Sequence, residues 1–307
     1  MSDDAIDSLE QAEPLRGYAS AIGAYLIWGL VLPIFMKMLA HVSPVEIVAH
    51  RVLWALPFAV ILLGWFSGFG AIRPYLTLRM IALAALCAGI ISINWGVYVY
   101  AIGSGQGVAA ALGYYINPLV SLVFAVVFLG ERPSRQQWIA IALAAFGVLV
   151  MTVVTGGLPW ISLVLAASFG LYGLLRKITP YGATEGFFLE VAILFLPALG
   201  IAFWAVSNGS AQFGGNTFDT TLLILAGPLT AIPLILFATG ARLLKLSTIG
   251  ILQYGVPTLL ALTAVYIFGE PFGLAQLGAF AFIWAGLAVY TASLLQENRA
   301  RRRRASL

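Results

Sequence analysis

Ten apolar runs, most of them about 20 residues long, follow one another along this chain of 307 residues. They cover approximately residues 18–36, 46–66, 80–101, 107–129, 137–155, 159–175, 184–206, 221–241, 248–268 and 274–295. Such a run is too long for a buried strand, and it crosses roughly 30 Å of hydrocarbon as a helix whose backbone hydrogen bonds are all internal. Only 9% of the residues are charged, against about 25% in a typical soluble domain. The sequence therefore predicts an all-α polytopic membrane protein with ten transmembrane helices, and it excludes a soluble enzyme, a disordered chain and a fibrous protein.

The basic residues indicate how the chain is oriented in the membrane. All of the 16 Lys and Arg residues except Lys37 and Arg51 fall before the first run, in every second connection after it, or behind the last run. The positive-inside rule then places both termini in the cytoplasm. The same alternation requires an even number of crossings.

The two termini carry charge of opposite sign. Residues 1–17 form an acidic cytoplasmic tail, and we interpret the long run behind it as a retained helix rather than a cleaved signal peptide. Residues 297–307 form a basic tail with four consecutive arginines at 301–304. Such a tail binds either nucleic acid or anionic lipid headgroups, which contribute about 1 kcal/mol for each basic residue. We favour the lipid headgroups and expect no nucleic-acid partner.

An internal duplication relates the two halves of the chain. An offset of 139 residues places Tyr115 on Tyr254, Pro118 on Pro257 and Arg51 on Glu190. We therefore divide the membrane region into two five-helix repeats, residues 18–155 and 156–296. Because five is odd, the second repeat is inverted relative to the first, which is typical of secondary transporters with a substrate site where the repeats meet.

Several stretches resemble the RarD-type permeases, in the EamA family of the drug/metabolite transporter superfamily. These stretches are residues 24–29, 50–54, 112–119, 128–132, 168–177, 246–250, 253–254 and 280–284. The resemblance covers the chain from about Gly17 to Tyr290. It implies two five-helix repeats around a central cavity, with the fifth and tenth helices peripheral, in the bacterial cytoplasmic (inner) membrane. It implies a transporter, without identifying its cargo.

Arg51 and Glu190 are charged residues within predicted spans, and such residues usually face a bundle interior or a cavity. Each lies about five residues, or roughly 7 Å, into its helix, and the two helices enter from opposite sides. We therefore expect no ion pair between them, with Arg51 toward the outer mouth of a cavity and Glu190 toward the inner mouth. The alternative is that each side chain reaches its nearby interface.

A histidine precedes this arginine in the second run. His50 points roughly 100° away from Arg51 around the helix, so both cannot occupy the centre of one narrow face. It is a further candidate for the cavity lining, where it could relay protons, with hydrogen-bonded packing as the alternative. With His41 and Cys87 as the other residues of these types, no zinc-ligand spacing is present, and we predict neither a metal site nor a cofactor.

A set of polar and aromatic residues in several spans is predicted to line the cavity, because amide and phenol groups in lipid need partners. The set is Trp28, Asn94, Trp95, Tyr98, Tyr114, Tyr115, Asn117, Tyr172, Gln253 and Tyr254. Such a lining suits a flat, amphipathic small molecule. The alternative roles are contacts between helices and an aromatic belt at the interface.

Two prolines occupy matching positions in the two halves. Pro118 and Pro257 would each free a backbone carbonyl and permit a kink, so they are candidate hinges, with static kinks as the alternative. Glu131 and Glu270 follow the same two runs, and we expect them to make helix-end or loop contacts rather than to couple transport.

The sequence as a whole favours a secondary transporter that exports or exchanges a small organic metabolite or drug-like compound by alternating access. No Walker A motif is present, so a proton, a counter-substrate or the cargo gradient must supply the energy. Glu190 is the candidate proton carrier. The alternatives are an uncoupled facilitator or channel and a non-transporting scaffold or sensor; an enzyme is the least supported. Small residues at 140 and 144 and at 281 and 285 permit a homodimer or ordinary helix packing.

Overall fold

The computed structural model describes residues 14–130, 132–244 and 252–305, and its longer elements in these ranges are all helices. They are α1 (Leu15–Met38), α2 (Pro44–Phe66), α3 (Leu78–Gly103), α4 (Gly107–Leu129), α5 (Arg135–Thr155), α6 (Trp160–Ile178), α7 (Ala183–Ser207), α8 (Thr217–Leu243), α9 (Gly255–Ile267) and α10 (Leu274–Ala305). A short 3₁₀ helix, Phe69–Tyr75, joins α2 to α3. Nine helices among the described residues are long and apolar enough to cross a membrane, and α9 is shorter.

Most of the predicted spans correspond to these helices, and the differences lie at the ends. The predicted ninth span begins at 248, but residues 245–251 lie outside the described part of the chain. Helix α1 begins at Leu15, inside the predicted acidic tail, and α10 continues into the predicted basic tail as far as Ala305. Residues 1–13 of the acidic tail and the last two residues are also outside the described ranges.

Side-chain caps extend two helices beyond their apolar runs. The Thr77 hydroxyl accepts a hydrogen bond from the Met80 amide at the start of α3, and the Asn216 side chain accepts one from the Asp219 amide at the start of α8. A cap satisfies an amide that the first turn leaves free. These helices therefore begin in the polar interface, where hydropathy alone does not place a boundary.

Helices from both halves of the sequence interdigitate in the bundle. Helix α2 packs against α7 and α8, α3 packs against α6 and α7, and α4 packs against α6 and α9. Helix α1 packs against α8 and α9. Helices α5 and α10 pack chiefly against each other, with Ala140 and Ala144 of α5 buried beside Gly286 of α10. The small-residue stretch at 140–144 therefore packs within the chain.

Helices α2 and α8 approach each other closely where they cross. A Cβ atom added at Gly227 would overlap the backbone carbonyl group of Trp54. The backbone of α2 cannot yield as a flexible side chain would, so only glycine fits at this crossing.

We predict that Gly227→Ala destabilises the protein, because the added methyl group forces α2 and α8 apart. Overpacking of this kind costs about 1–3 kcal/mol, and thermal unfolding of the purified protein should show a midpoint lower by several degrees. Gly89→Ala is the matched control, since a Cβ at this helical glycine would meet nothing within 4 Å. Equal stability of the two variants would contradict the prediction.

Candidate binding cavity

A cavity of about 1740 Å³ enters the bundle from one end. Residues at helix ends line its mouth, among them Arg16 of α1, Phe66 of α2, Glu185 of α7 and Leu243 of α8. At the opposite end, large side chains from several helices fill the interior and close it. They include Met36, Leu39, Ile47, Ile102 and Leu223, all 0–1% exposed. The cavity therefore opens at one end of the bundle and not at the other.

Arg51 lies deep in this cavity, on the eighth residue of α2. Its side chain is buried, and its Nε donates a hydrogen bond of 3.2 Å to the Thr230 hydroxyl of α8. The guanidinium lies 4.7 Å from the ring centre of Trp95, which is a cation–π distance. The Nη1 atom is buried and has no hydrogen-bond partner among the described residues.

Glu190 occupies the matching eighth position of α7 and also lines the cavity. The Tyr172 hydroxyl donates to Oε2 at 2.9 Å, and Arg176 donates to Oε1 at 3.4 Å. Tyr172 and Arg176 are four residues apart on α6, so they share a helix face. The buried carboxylate is thus held by two donors from one neighbouring helix.

The connection between α6 and α7 fixes the guanidinium of Arg176. Its Nη2 donates to the carbonyl oxygens of Gly182 and Ala183, both at 3.2 Å, and the group lies 5.3 Å from the ring centre of Tyr181. Burial raises the pKa of Tyr181 to about 12, so its ring remains a neutral phenol. A Cβ atom at Gly186 would overlap Arg176, so glycine leaves room for this arginine to reach Glu190.

The two charged residues predicted from the sequence do not pair with each other. Arg51 bonds to Thr230, whereas Glu190 forms its ion pair with Arg176. Since α2 starts at the closed end and α7 starts at the mouth, Arg51 lies toward the closed end and Glu190 toward the mouth. At 1.5 Å per residue they are roughly 10 Å or more apart along the bundle.

Amide side chains on the cavity wall hold helices together. Asn94 of α3 donates to the Leu165 carbonyl and to the Ser168 hydroxyl of α6, and it accepts from the Tyr114 hydroxyl of α4 at 3.3 Å. Asn117 of α4 donates to the Ala166 carbonyl of α6 at 3.1 Å. These residues line the cavity and also connect helices, so both roles expected from the sequence apply to them.

The remaining predicted residues divide into two groups. Trp28, Tyr98, Gln253 and Tyr254 line the cavity, as do the two prolines. His50 and Tyr115 do not belong to its lining.

The placement of His50 and Tyr115 corrects the cavity roles predicted for them. His50 stacks on Phe213, with 4.5 Å between ring centres, and accepts a hydrogen bond from Trp54. Tyr115 shares a hydrogen bond of 2.7 Å with Thr258 and packs against Phe280. Each side chain therefore contacts a neighbouring element instead of lining the cavity. The prediction rested on residue type, and residue type alone does not determine which side of a helix a residue occupies.

The two candidate hinges differ in their surroundings. Pro118 lies inside α4, where the helix lacks one amide donor. Pro257 lies in the first turn of α9, where a missing amide costs little. The local backbone of the two prolines is therefore not equivalent.

Glu270 makes the helix-end contact expected of it. Its two carboxylate oxygens accept hydrogen bonds from the amides of Gly107 and Val108, at 2.7 and 2.9 Å, and so cap the start of α4. A negative charge at a helix N-terminus is favourable. Glu131 lies outside the described residues.

Sequence reasoning missed three partners of the cavity residues. Arg176 was counted only as a basic residue of a connection, although its spacing of four from Tyr172 is a usable signal. Thr230 and Ser168 are hydroxyl residues in apolar helices, and no pattern in the sequence distinguishes them from others of their type.

Comparison with known proteins shows which family the chain is related to. The EamA-like transporter family matches residues 15–153. The protein RarD of Streptomyces exfoliatus is 41% identical, with 96% of this chain and 93% of the relative covered, and RarD of Escherichia coli is 37% identical, with 95% and 99% covered. An uncharacterized transporter of Pseudomonas aeruginosa is 41% identical over 90% of this chain and 93% of the relative.

A bundle of long apolar helices, with charged and polar side chains on the wall of an interior cavity, defines a multi-pass membrane protein. This chain belongs to the EamA-like transporter family. A solved crystal structure is similar over 92% of this chain and 97% of its own, with a TM-score of 0.55 and 19% identity, which shows a shared fold alone.

We predict that Arg176→Gln lowers stability, because it leaves the buried Glu190 carboxylate with Tyr172 as its one described donor. An unsatisfied buried group costs about 1–3 kcal/mol, and we expect the lower part of this range because the Arg176 side chain is 18% exposed and partly screened by water.

A double-mutant cycle supplies the control for this prediction. Glu190→Gln should restore most of the lost thermal stability in the Arg176→Gln background, since it removes the uncompensated charge. Purely additive losses in the two variants would show that the pair is not coupled.

Proposed function

We propose that this protein is a secondary transporter that moves a small organic metabolite or drug-like compound across the membrane by alternating access. The observation that carries the proposal is a large cavity, open at one end of the bundle and closed at the other, with buried charged side chains on its wall. A cavity of this shape matches one of the two states that alternating access requires. The family relationship supports transport as the class of function.

We further propose ten spans in two inverted five-helix repeats, with α9 as part of the ninth span. The helix contacts support this symmetry. The contact of α4 with α6 corresponds to that of α9 with α1, and the contact of α2 with α8 corresponds to that of α7 with α3. The pairs α2–α7, α4–α9 and α5–α10 are their own counterparts. The family match at 15–153 also coincides with the predicted first repeat, 18–155.

We place the protein in the bacterial inner membrane with both termini in the cytoplasm, on the charge alternation of its connections. In this orientation the cavity mouth, which contains Arg16, faces the cytoplasm. The structure then corresponds to an inward-open state. The basic tail at 297–307 would bind anionic headgroups of the same leaflet.

Transport itself is tested by counterflow. We expect a radiolabelled solute, chosen by thermal-shift screening of amino acids, nucleosides and antibiotics, to enter proteoliposomes faster when unlabelled solute is inside. A carrier must reorient, and internal substrate speeds that step. Saturable counterflow supports a carrier, whereas unsaturable flux without it would indicate the channel alternative.

The scaffold alternative makes a different prediction about the cavity. A scaffold would keep its cellular phenotype when Arg51 is replaced and lose it when surface loops are altered. A transporter would show the opposite pattern.

We propose Glu190 as the proton carrier, because it is a buried carboxylate that reaches the cavity near its mouth. Glu190→Gln keeps the shape of the side chain and removes its exchangeable charge. We expect this variant to lose accumulation driven by a pH gradient in proteoliposomes and to keep counterflow. Full pH-driven accumulation by the variant would eliminate Glu190 as the coupling group.

A further inference from the structure

Among the described residues, a positive charge toward the closed end of the cavity has no acidic partner. Arg51 is 4% exposed, and its guanidinium forms no ion pair with the acidic residues of the described ranges. Its Nε donates a hydrogen bond to the Thr230 hydroxyl, while Nη1 is buried and has no hydrogen-bond partner among the described residues. A buried charge without a counter-ion is unfavourable, and charges within spans mark ligand pathways. The unpartnered Nη1 donor therefore points to a ligand that would accept its hydrogen bond.

A second buried donor lies on a residue of the side-chain cluster that closes the cavity. The Tyr98 hydroxyl of α3 is buried and has no hydrogen-bond partner among the described residues. Tyr98 lines the cavity with Arg51, and its ring centre lies 6.1 Å from that of Tyr114, whose hydroxyl already donates to Asn94. Arg51 and Tyr98 thus offer two unused donors, and both suit an oxyanion.

The structure assigns a carboxylate-binding subsite to Arg51 and Tyr98, with a flat organic monoanion as the substrate class. This inference rests on the proposed transport function and names the cargo that the cavity would accept. The Nη1 donor and the Tyr98 hydroxyl would bind the carboxylate, and Thr230 and Trp95 would hold the guanidinium in place.

The charges of the cavity favour a monoanion over a zwitterion or a cation. The acidic residues of its described lining are Glu185 at the mouth and Glu190, which is already paired with Arg176. Glu190 is also roughly 10 Å or more from Arg51 along the bundle. An α-amino acid carries its ammonium and carboxylate groups on the same carbon atom, so it cannot contact Arg51 and Glu190 at the same time. A cation would meet the uncompensated Arg51.

The rest of the wall suits a flat apolar body. Trp28 and Phe237 are 5.7 Å apart between ring centres, and Trp95 covers the guanidinium. All three line the cavity, as do Tyr254 and Leu260. Aromatic walls bind flat molecules by stacking and by burial of apolar surface.

The test compares ligands that differ only in the charged group. Purified full-length protein in lipid nanodiscs is titrated with benzoate, benzamide and benzylamine, and with indole-3-acetate, indole-3-acetamide and tryptamine, with ligand-induced thermal stabilisation as the readout. We expect each carboxylate to bind at least about tenfold more tightly than its amide, and the amines to bind more weakly still.

Variants then assign that preference to named groups. Arg51→Gln should abolish the carboxylate preference, Arg51→Lys should retain part of it, and Tyr98→Phe should weaken carboxylate binding severalfold. Arg79→Gln is the matched control, because it removes one positive charge from an exposed position outside the cavity lining. It should bind like the unmodified protein.

The outcomes separate this inference from the proposed function. A carboxylate preference that depends on Arg51, without counterflow in proteoliposomes, would support the subsite and overturn transport. Counterflow of amides or amines together with no response to any carboxylate would support transport and overturn the subsite. A carboxylate preference that survives Arg51→Gln would also overturn the subsite.

Discussion

A polar group inside hydrocarbon must find a partner within the protein, and this requirement organises the whole molecule. The backbone meets it by forming helices, because each helix satisfies its own amides and carbonyls. Polar side chains meet it by bonding between helices, as Asn94 does to α6. Arg51 and Tyr98, which each keep a buried polar atom without a partner among the described residues, line the interior cavity. The polar side chains that line the cavity therefore stand in a wall that is otherwise mostly apolar.

The positions of the helices and of the two charged cavity residues were predictable from the sequence. Which side of each helix faces the cavity was not. Long apolar runs determine where helices lie. A charged side chain within such a run usually faces the interior of the helix bundle or a cavity in it. The charges at Arg51 and Glu190 are such cases. Helices that are apolar all round carry little information about which face meets which neighbour. For that reason His50 and Tyr115 were predicted at the cavity but face Phe213 and Thr258 instead.

Arg51 and Glu190, which the offset of 139 residues aligns, differ in their surroundings. Both are the eighth residue of their helices, and both are buried on the cavity wall. Glu190 has two donors from α6, the Tyr172 hydroxyl and the oppositely charged Arg176. Arg51 contacts a hydroxyl and an aromatic ring, and no acidic residue of the described ranges pairs with it. Glu190 is thus paired with an opposite charge within the chain, whereas the charge of Arg51 is the one that the proposed carboxylate ligand would neutralise.

The contact of Gly227 with the backbone of Trp54 has a mechanical consequence. With no side chain between them, α2 and α8 touch main chain to main chain over this crossing. Rotation of either helix about its axis would push the backbone of the other, so we expect α2 and α8 to move together. Helix α2 comes from the first half of the sequence and α8 from the second. The α2–α8 contact consequently joins the two halves of the sequence at the level of the main chain.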